Sequence, residues 1–434
     1  MVVIGGGYTG LWAAWHLKRL EPEASVVLLE ARRCAEGPSG RNGGFCNALW
    51  HDLPNMRRRF GDGPAIELAR AAQASVHEVE RFCVEQEVDA WFRPGGYLQV
   101  STTPAQDGAW DATLEACREL DEPEACRPLS DDEVRSRCNS PLFRGGALYR
   151  GSATVQPVRL ARGLLDQLRR RGVAVYERSP VLAVRPRHGG VSARTSGGLV
   201  TARAGIVAAG AGGGKLARLR RRLTLTSSHM VITEPVPDVL EDLGWTDGEC
   251  ITDSRALLHY MRTTPDRRIA FGWGGGRVLP GARLGGRAEV DRSIAVEVAR
   301  SLLRFFPQLR ERRIDHAWGG PIDVSPTHLP VVGTAAPAVH YAFGYTGNGV
   351  APCQLGGRIL ASLALDRHDE PTRLAIVNPP RVNVPPEPFR YVGGAIVRRA
   401  VLRKESAEEL DRRPGTVSAF VAGIPERIGI HVGR

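Results

Sequence analysis

The 434-residue chain reads as an α/β protein: a Rossmann-type dinucleotide-binding domain interleaved with a second domain built on an antiparallel sheet. Three observations predict this. A glycine fingerprint lies between a short apolar run and an amphipathic stretch at the N-terminus. A carboxylate closes the next apolar run. Further β-like runs recur between residues 226 and 319, separated from the fingerprint by another helix–strand unit.

The first element is Met1-Val2-Val3-Ile4, which enters Gly5-Gly6-Gly7-Tyr8-Thr9-Gly10 and then a stretch with Leu11, Ala14, Leu17 and Leu20 at helical spacing. In a strand–turn–helix unit Gly5 permits the tight turn, Gly7 lets the backbone approach a pyrophosphate, and Gly10 lets helix and strand pack closely. The pyrophosphate would lie at the helix N-terminus, where unpaired N–H groups and the dipole favour negative charge. The second run, Ser25 to Leu29, delivers Glu30 at the distance of about 20 residues where a carboxylate accepts hydrogen bonds from a ribose. Strands commonly run about 5–6 residues, and only Val2, Val3 and Ile4 stand between the initiator and Gly5. Either this strand is short or the natural start lies upstream.

After Glu30 and Ala31 comes a loop rich in glycine, Pro38-Ser39-Gly40-Arg41-Asn42-Gly43-Gly44. Gly and Ser are ordinary loop residues, so a plain surface connection is one reading. The stretch also resembles the flavin-contacting segment of the D-amino acid oxidase superfamily of FAD-dependent oxidoreductases, and within it the glycine, sarcosine and γ-glutamylputrescine oxidase branch. Three later segments carry the same resemblance. Ser152 to Glu177 contains Gln156-Pro157, a helical run and a strand, with Val181 after it. Gly205 to Ala211 is an apolar strand ending Ala208-Ala209-Gly210-Ala211. The last comprises Trp318 to Pro321, Leu329 to Gly333 and Phe343-Gly344-Tyr345-Thr346-Gly347-Asn348-Gly349-Val350.

The resemblance implies FAD, and it implies the residues that hold it. In the N-terminal part these are Gly5, Gly7, Tyr8, Thr9, Gly10, Glu30 and Ala31, then Ser39, Arg41, Asn42, Gly43 and Gly44 of the loop. Further along they are Val181, Ala209 and Gly210, then Tyr345, Gly347, Asn348, Gly349 and Val350. The final glycine run would open a helix whose positive end supports a reduced flavin. Asn42 stands where some relatives carry a covalently attached His, and no Cys precedes Leu329 in its segment, so the FAD is expected to be non-covalent.

The FAD domain is expected over residues 1–60, 151–225 and 320–367, the substrate domain over 61–150 and 226–319, and a C-terminal extension over 368–434 after the prolines at 379–388. Helical spacing predicts a helix from Ile66 to Cys83. Strands are expected at Gly95 to Val100, Met230 to Thr233, Leu257 to Arg262 and Arg268 to Trp273. The tail carries helical spacing over Val397 to Leu402 and Glu405 to Leu410, with no chemistry evident in it.

The implied activity is oxidation of the C–N bond of an amine or amino acid by hydride transfer to flavin, followed by hydrolysis of the imine. Tyr260, Arg262, Trp273 and Trp318 are the candidate catalytic residues: Arg262 as a bidentate carboxylate clamp, or equally an ion-pair partner, and the aromatic residues as a wall for an amine, or as core. His259 and Tyr260 alternate along their strand and cannot share a face. Several relatives place a lysine over the flavin to assist oxygen, and the matching run Phe271 to Gly276 has none. Either Arg262 or His259 takes that task, or the acceptor is not oxygen. The oligomeric state is left open.

Composition is that of a globular enzyme, with 42% hydrophobic and 24% charged residues. No run is long enough to span a membrane and no signal peptide is evident. The net charge of +11 is spread along the chain, and all of the 58 basic residues except Lys18, Lys215 and Lys404 are arginines. The runs Arg57 to Arg59, Arg169 to Arg171 and Arg218 to Arg222 are read as solvated faces, so no nucleic-acid partner is expected. Eight cysteines without a C-x-x-C pair argue for reduced thiols and a cytoplasmic setting, and Cys46 and Cys353 are read as buried structural thiols. His77 and Glu80 are read as solvated helix residues, and no metal site is expected. Two readings from other classes stay open: a flavin domain acting in tRNA modification, and an FAD-binding partner subunit without turnover.

Overall fold

Two sheets carry the fold of the computed structural model, which describes residues 1–215, 221–282 and 284–431. The first is six-stranded, in the order Val331–Ala336, Val339–Phe343, Gly205–Val207, Val2–Ile4, Val27–Leu29 and Ala174–Tyr176. All its neighbours are parallel except the first pair. Val2–Ile4 is the central strand: it pairs with Val27–Leu29 on one side and Gly205–Val207 on the other, and all three residues are buried. Buried on both faces, such strands read as continuous apolar runs.

The helix Tyr8–Leu20 follows and packs on the helix Val350–Ala364. Pro157–Arg170 then leads to the edge strand Ala174–Tyr176. A three-stranded antiparallel sheet, Ala183–Arg187, Gly190–Arg194 and Leu199–Ala202, stands beside this layer.

The second sheet is eight-stranded: Ile314–Val324, Thr224–Thr233, Ile269–Trp273, His259–Thr263, Cys250–Asp253, Tyr97–Val100, Gly146–Tyr149 and Arg127–Leu129. Its pairs are antiparallel except Cys250–Asp253 with Tyr97–Val100. One face packs on a core that includes Phe271, Trp273, Phe305 and Phe306, and the other turns toward the dinucleotide-binding layer.

Two expected domain boundaries fall inside strands. Thr224–Thr233 and Ile314–Val324 pair along their length, from Thr224 opposite Val324 to Thr233 opposite Ile314. That ribbon crosses both 225/226 and 319/320, because its ladder is continuous from the second sheet into the cofactor side. Asp62–Glu85 forms the expected helix, and His77 is exposed on it.

The tail forms the helix Phe389–Glu409 and shorter helices after it. No helix among the described residues is long and apolar enough to cross a membrane. Arg58, Arg59 and Arg169 to Arg171 are exposed, and so is Arg221, but Arg222 is buried instead of solvated; Arg218 to Arg220 lie outside the described residues.

Candidate active site

A cavity of about 820 Å³ is lined from both sheets. Its dinucleotide end is built by the fingerprint. Gly5 takes a φ of +111°, a region that suits glycine. A Cβ at Gly10 would stand 1.9 Å from the Gly5 carbonyl oxygen, so the helix start can lie on the strand end only without a side chain there. Glu30 accepts from the Gly6 N–H at 2.7 Å and from the Arg32 N–H at 2.8 Å, which ties the second strand to the glycine turn. The Tyr8 N–H donates to Ser39 Oγ at 2.9 Å, and its hydroxyl to the Pro157 carbonyl at 2.8 Å.

The loop after Glu30 is held from inside and outside. Asn42 Oδ1 accepts from the Gly44 N–H at 2.8 Å and its Nδ2 donates to the Ser39 carbonyl at 3.0 Å. Arg41 donates to the Glu36 carbonyl at 2.9 Å. Gly44, at φ +78°, lies under the Val155 carbonyl. At the far end Gly349 caps the helix Val350–Ala364 without any side-chain cap, so its first N–H groups are left for a ligand or water.

Asn348 Nδ2 is buried there without a hydrogen-bond partner. An orphaned buried amide, an uncapped helix end and a glycine cradle fit a large polar cofactor at this site. Of the residues expected to hold FAD, all but Gly10 and Gly44 line the cavity, and those two meet neighbouring backbone instead.

The substrate-side expectations fare differently. Tyr260 lines the cavity, whereas Arg262, Trp273 and Trp318 do not. Trp273 is on the opposite face: it stands across from His259 in the ladder, stacks on its ring at 6.2 Å between centroids and is buried in the core behind the sheet. Arg262 does share the Tyr260 face, but it is buried and donates from Nε to the Gly43 carbonyl at 2.5 Å. Burial lowers its pKa to about 10, so it remains cationic. Trp318 donates from Nε1 to the Arg41 carbonyl at 2.9 Å. Arg262 and Trp318 thus both donate to carbonyls of the 41–43 loop.

Tyr260 is locked in place. A Cβ at Gly272, directly opposite it, would stand 2.2 Å from Tyr260 Cζ, so the ring occupies the space that glycine leaves. Phe45 meets the ring edge-on at 5.9 Å. The phenol is 2.8 Å from Ser228 Oγ, and Ser228 donates to the Trp273 carbonyl at 2.8 Å. A hydroxyl has one proton, so Tyr260 must donate to Ser228, which leaves its own oxygen as an acceptor. Burial raises its pKa to about 12, and it stays neutral.

Sequence reasoning missed Ser228, Thr226, His51, Asp52 and the tail residues that also line the cavity. Asp323 is another: burial raises its pKa to about 6, and it accepts from the Gly344 N–H at 2.6 Å. His259 faces away, with Nδ1 2.7 Å from Asp253 Oδ2. All eight cysteines are free. Cys46 and Cys353 are buried, and burial pushes the Cys353 thiol up to about 12. No metal-ligating group occurs among the described residues.

The family model for FAD dependent oxidoreductases matches residues 1–363. The chain belongs to that family. γ-Glutamylputrescine oxidoreductase of Escherichia coli K12 is 31% identical over 370 residues, which cover 83% of this chain and 82% of that protein. Glycine oxidase of Bacillus licheniformis is 23% identical over 382 residues, covering 84% of this chain and 92% of the relative. The crystal structure of glycine oxidase from Bacillus cereus ATCC 14579 superposes with a TM-score of 0.70 at 18% identity, covering 88% of this chain and 98% of that one. The protein is thus an FAD-dependent oxidoreductase.

Proposed function

We propose that this oxidoreductase takes an amine as substrate, bound without a carboxylate clamp, and that FAD is held non-covalently by the residues around the cavity. The observation that carries the reading is the direction of Arg262. It is buried and bonded to the Gly43 carbonyl, and it does not line the cavity. Tyr260, in contrast, presents a phenol oxygen whose proton is already given to Ser228. That oxygen accepts an N–H from a neutral amine and so orients its nitrogen. A phenol with a pKa of about 12 positions the substrate and removes no proton from it. FAD, when bound, supplies the hydride acceptor. The name of the Escherichia coli relative, γ-glutamylputrescine oxidoreductase, supports an amine as the group that is oxidised.

A second reading concerns the electron acceptor. The two cations that sequence offered as aids to oxygen are both turned elsewhere, Arg262 to Gly43 and His259 to Asp253 behind the sheet. This supports a carrier other than oxygen. Eight free thiols support the cytoplasmic setting.

Anaerobic addition of amines and of α-amino acids to the purified holoenzyme tests the reading. Amines are expected to bleach the flavin band, and Tyr260→Phe is expected to raise the amine Kd about tenfold, the loss of one ordinary hydrogen bond. Bleaching by α-amino acids alone would overturn it. Acid precipitation should release the yellow chromophore into solution. Mixing reduced enzyme with oxygen checks the acceptor: slow reoxidation is expected, and rapid peroxide formation would establish an oxidase.

A further inference from the structure

The family match ends at residue 363, yet residues beyond it line the same cavity. The helix Phe389–Glu409 puts Arg390, Gly394, Val397, Val401 and Glu405 three or four residues apart, in one stripe. The first four line the cavity. Val401 is buried and Val397 half-buried, while Val392 and Ile396 on the other side are exposed. Val278 lines the cavity as well, and a Cβ at Gly394 would stand 3.3 Å from its Cγ1.

The helix is pinned at several points. Arg390 donates to the Leu223 carbonyl at 3.0 Å. Arg398 holds the Gly275 and Gly276 carbonyls, at the end of the strand that carries Gly272. Glu405 accepts from the Leu257 N–H at 3.2 Å, and Glu409 pairs with Arg255 and with Arg304. The helix therefore has a fixed place over the cavity and presents two valines to it.

We propose that this C-terminal helix is the substrate-selecting wall, and that the non-reacting substituent of the amine is an aliphatic chain packed against Val278, Val397 and Val401. The inference rests on the amine reading above. The two arginines of this helix that line the cavity are already engaged, Arg398 by the glycine carbonyls and Arg390 by Leu223 and Glu387. A charged or strongly polar group at the far end of the substrate would lose its hydration against valine without a partner. An alkyl chain gains by the same burial.

The test uses the holoenzyme and a series of primary n-alkylamines of rising length, with ω-amino and ω-carboxyl counterparts. The Kd comes from the concentration dependence of anaerobic flavin reduction. A second, non-catalytic readout is the perturbation of the flavin spectrum by n-alkyl alcohols of the same lengths. The expected result is about fourfold tighter binding per added methylene until the wall is reached, with the ω-charged counterparts weaker than the alkylamine of equal length. Val401→Phe should abolish the gain for long chains. Val397→Ala, which adds space without strain, should extend the gain to longer chains even if the phenylalanine variant fails to fold. Val392→Ala, on the exposed side, should change nothing. Binding indifferent to chain length, or to both valine substitutions, would overturn the wall while amine-driven bleaching left the amine reading intact. Bleaching by α-amino acids alone would overturn both.

Discussion

Glu405 is a carboxylate placed where a charge is costly, and that gives the protein a pH-dependent stability. It is 6% exposed. Burial is the main cause that raises its pKa from the ordinary 4.5 to about 7, helped by the nearby Asp253 and opposed by the Leu257 N–H and Arg255. The other charged or titratable groups of this cluster are Glu409 on its own helix, Arg304 from the helix Arg292–Phe305, and His259 beside Asp253.

A carboxyl with a raised folded-state pKa binds its proton more tightly when folded. Its contribution to stability is whole below about 4.5, the unfolded value, and is lost as pH rises toward 7. The difference is worth roughly 3 kcal/mol. Glu405→Gln keeps an acceptor for the Leu257 N–H and removes the titrating group. The two proteins should therefore agree in unfolding free energy near the acid end. The variant should be more stable by roughly 3 kcal/mol on the alkaline side of 7. Urea unfolding followed by tryptophan fluorescence at a series of pH values measures this, and the difference between the two curves removes the contributions common to both. A difference that stays flat with pH would refute the burial argument. A difference of the opposite sign would mean that Arg255 holds Glu405 ionised.

Two further substitutions test the cofactor side. Gly10→Ala puts a methyl 1.9 Å from the Gly5 carbonyl oxygen. It should cost about 1–3 kcal/mol as overpacking and lower the FAD content read from the visible-to-ultraviolet absorbance ratio; full FAD content would show that the turn can shift. Arg262→Met leaves the Gly43 carbonyl without its donor, at a cost of about 1–3 kcal/mol. FAD should then dissociate more readily, with the KM for anionic substrates unchanged. A raised KM for carboxylates with FAD retention intact would restore Arg262 as a substrate clamp.

The cofactor half of the site was legible in sequence because its constraints are local. Gly5, Gly7 and Gly10 answer to distances within one turn, and Glu30 to the length of one helix and one strand; no partner from elsewhere in the chain has to be known. The loop 38–44 was legible by resemblance, and its internal hydrogen bonds from Asn42 are again local. The substrate half depends on which face of a strand meets the cavity. Alternation alone placed His259 and Tyr260 on opposite faces. It could not say that Trp273 goes with His259, since that follows from the ladder in which Gly272 stands opposite Tyr260.

One signal for that register was present all along. Ile269-Ala270-Phe271-Gly272-Trp273 is a buried strand with one position stripped of its side chain, and a glycine inside a strand marks a close approach. The ring of Tyr260 is what approaches. The same reasoning covers the tail. The spacing of Arg390, Gly394, Val397, Val401 and Glu405 declares a one-sided helix, but its partner is set by the return of the chain through the prolines of 379–388, which no local rule specifies. Gly394 is the trace of that partner, as Gly272 is of Tyr260. In both cases a missing side chain in a regular element identifies the surface another residue must reach, here Val278 at the cavity edge.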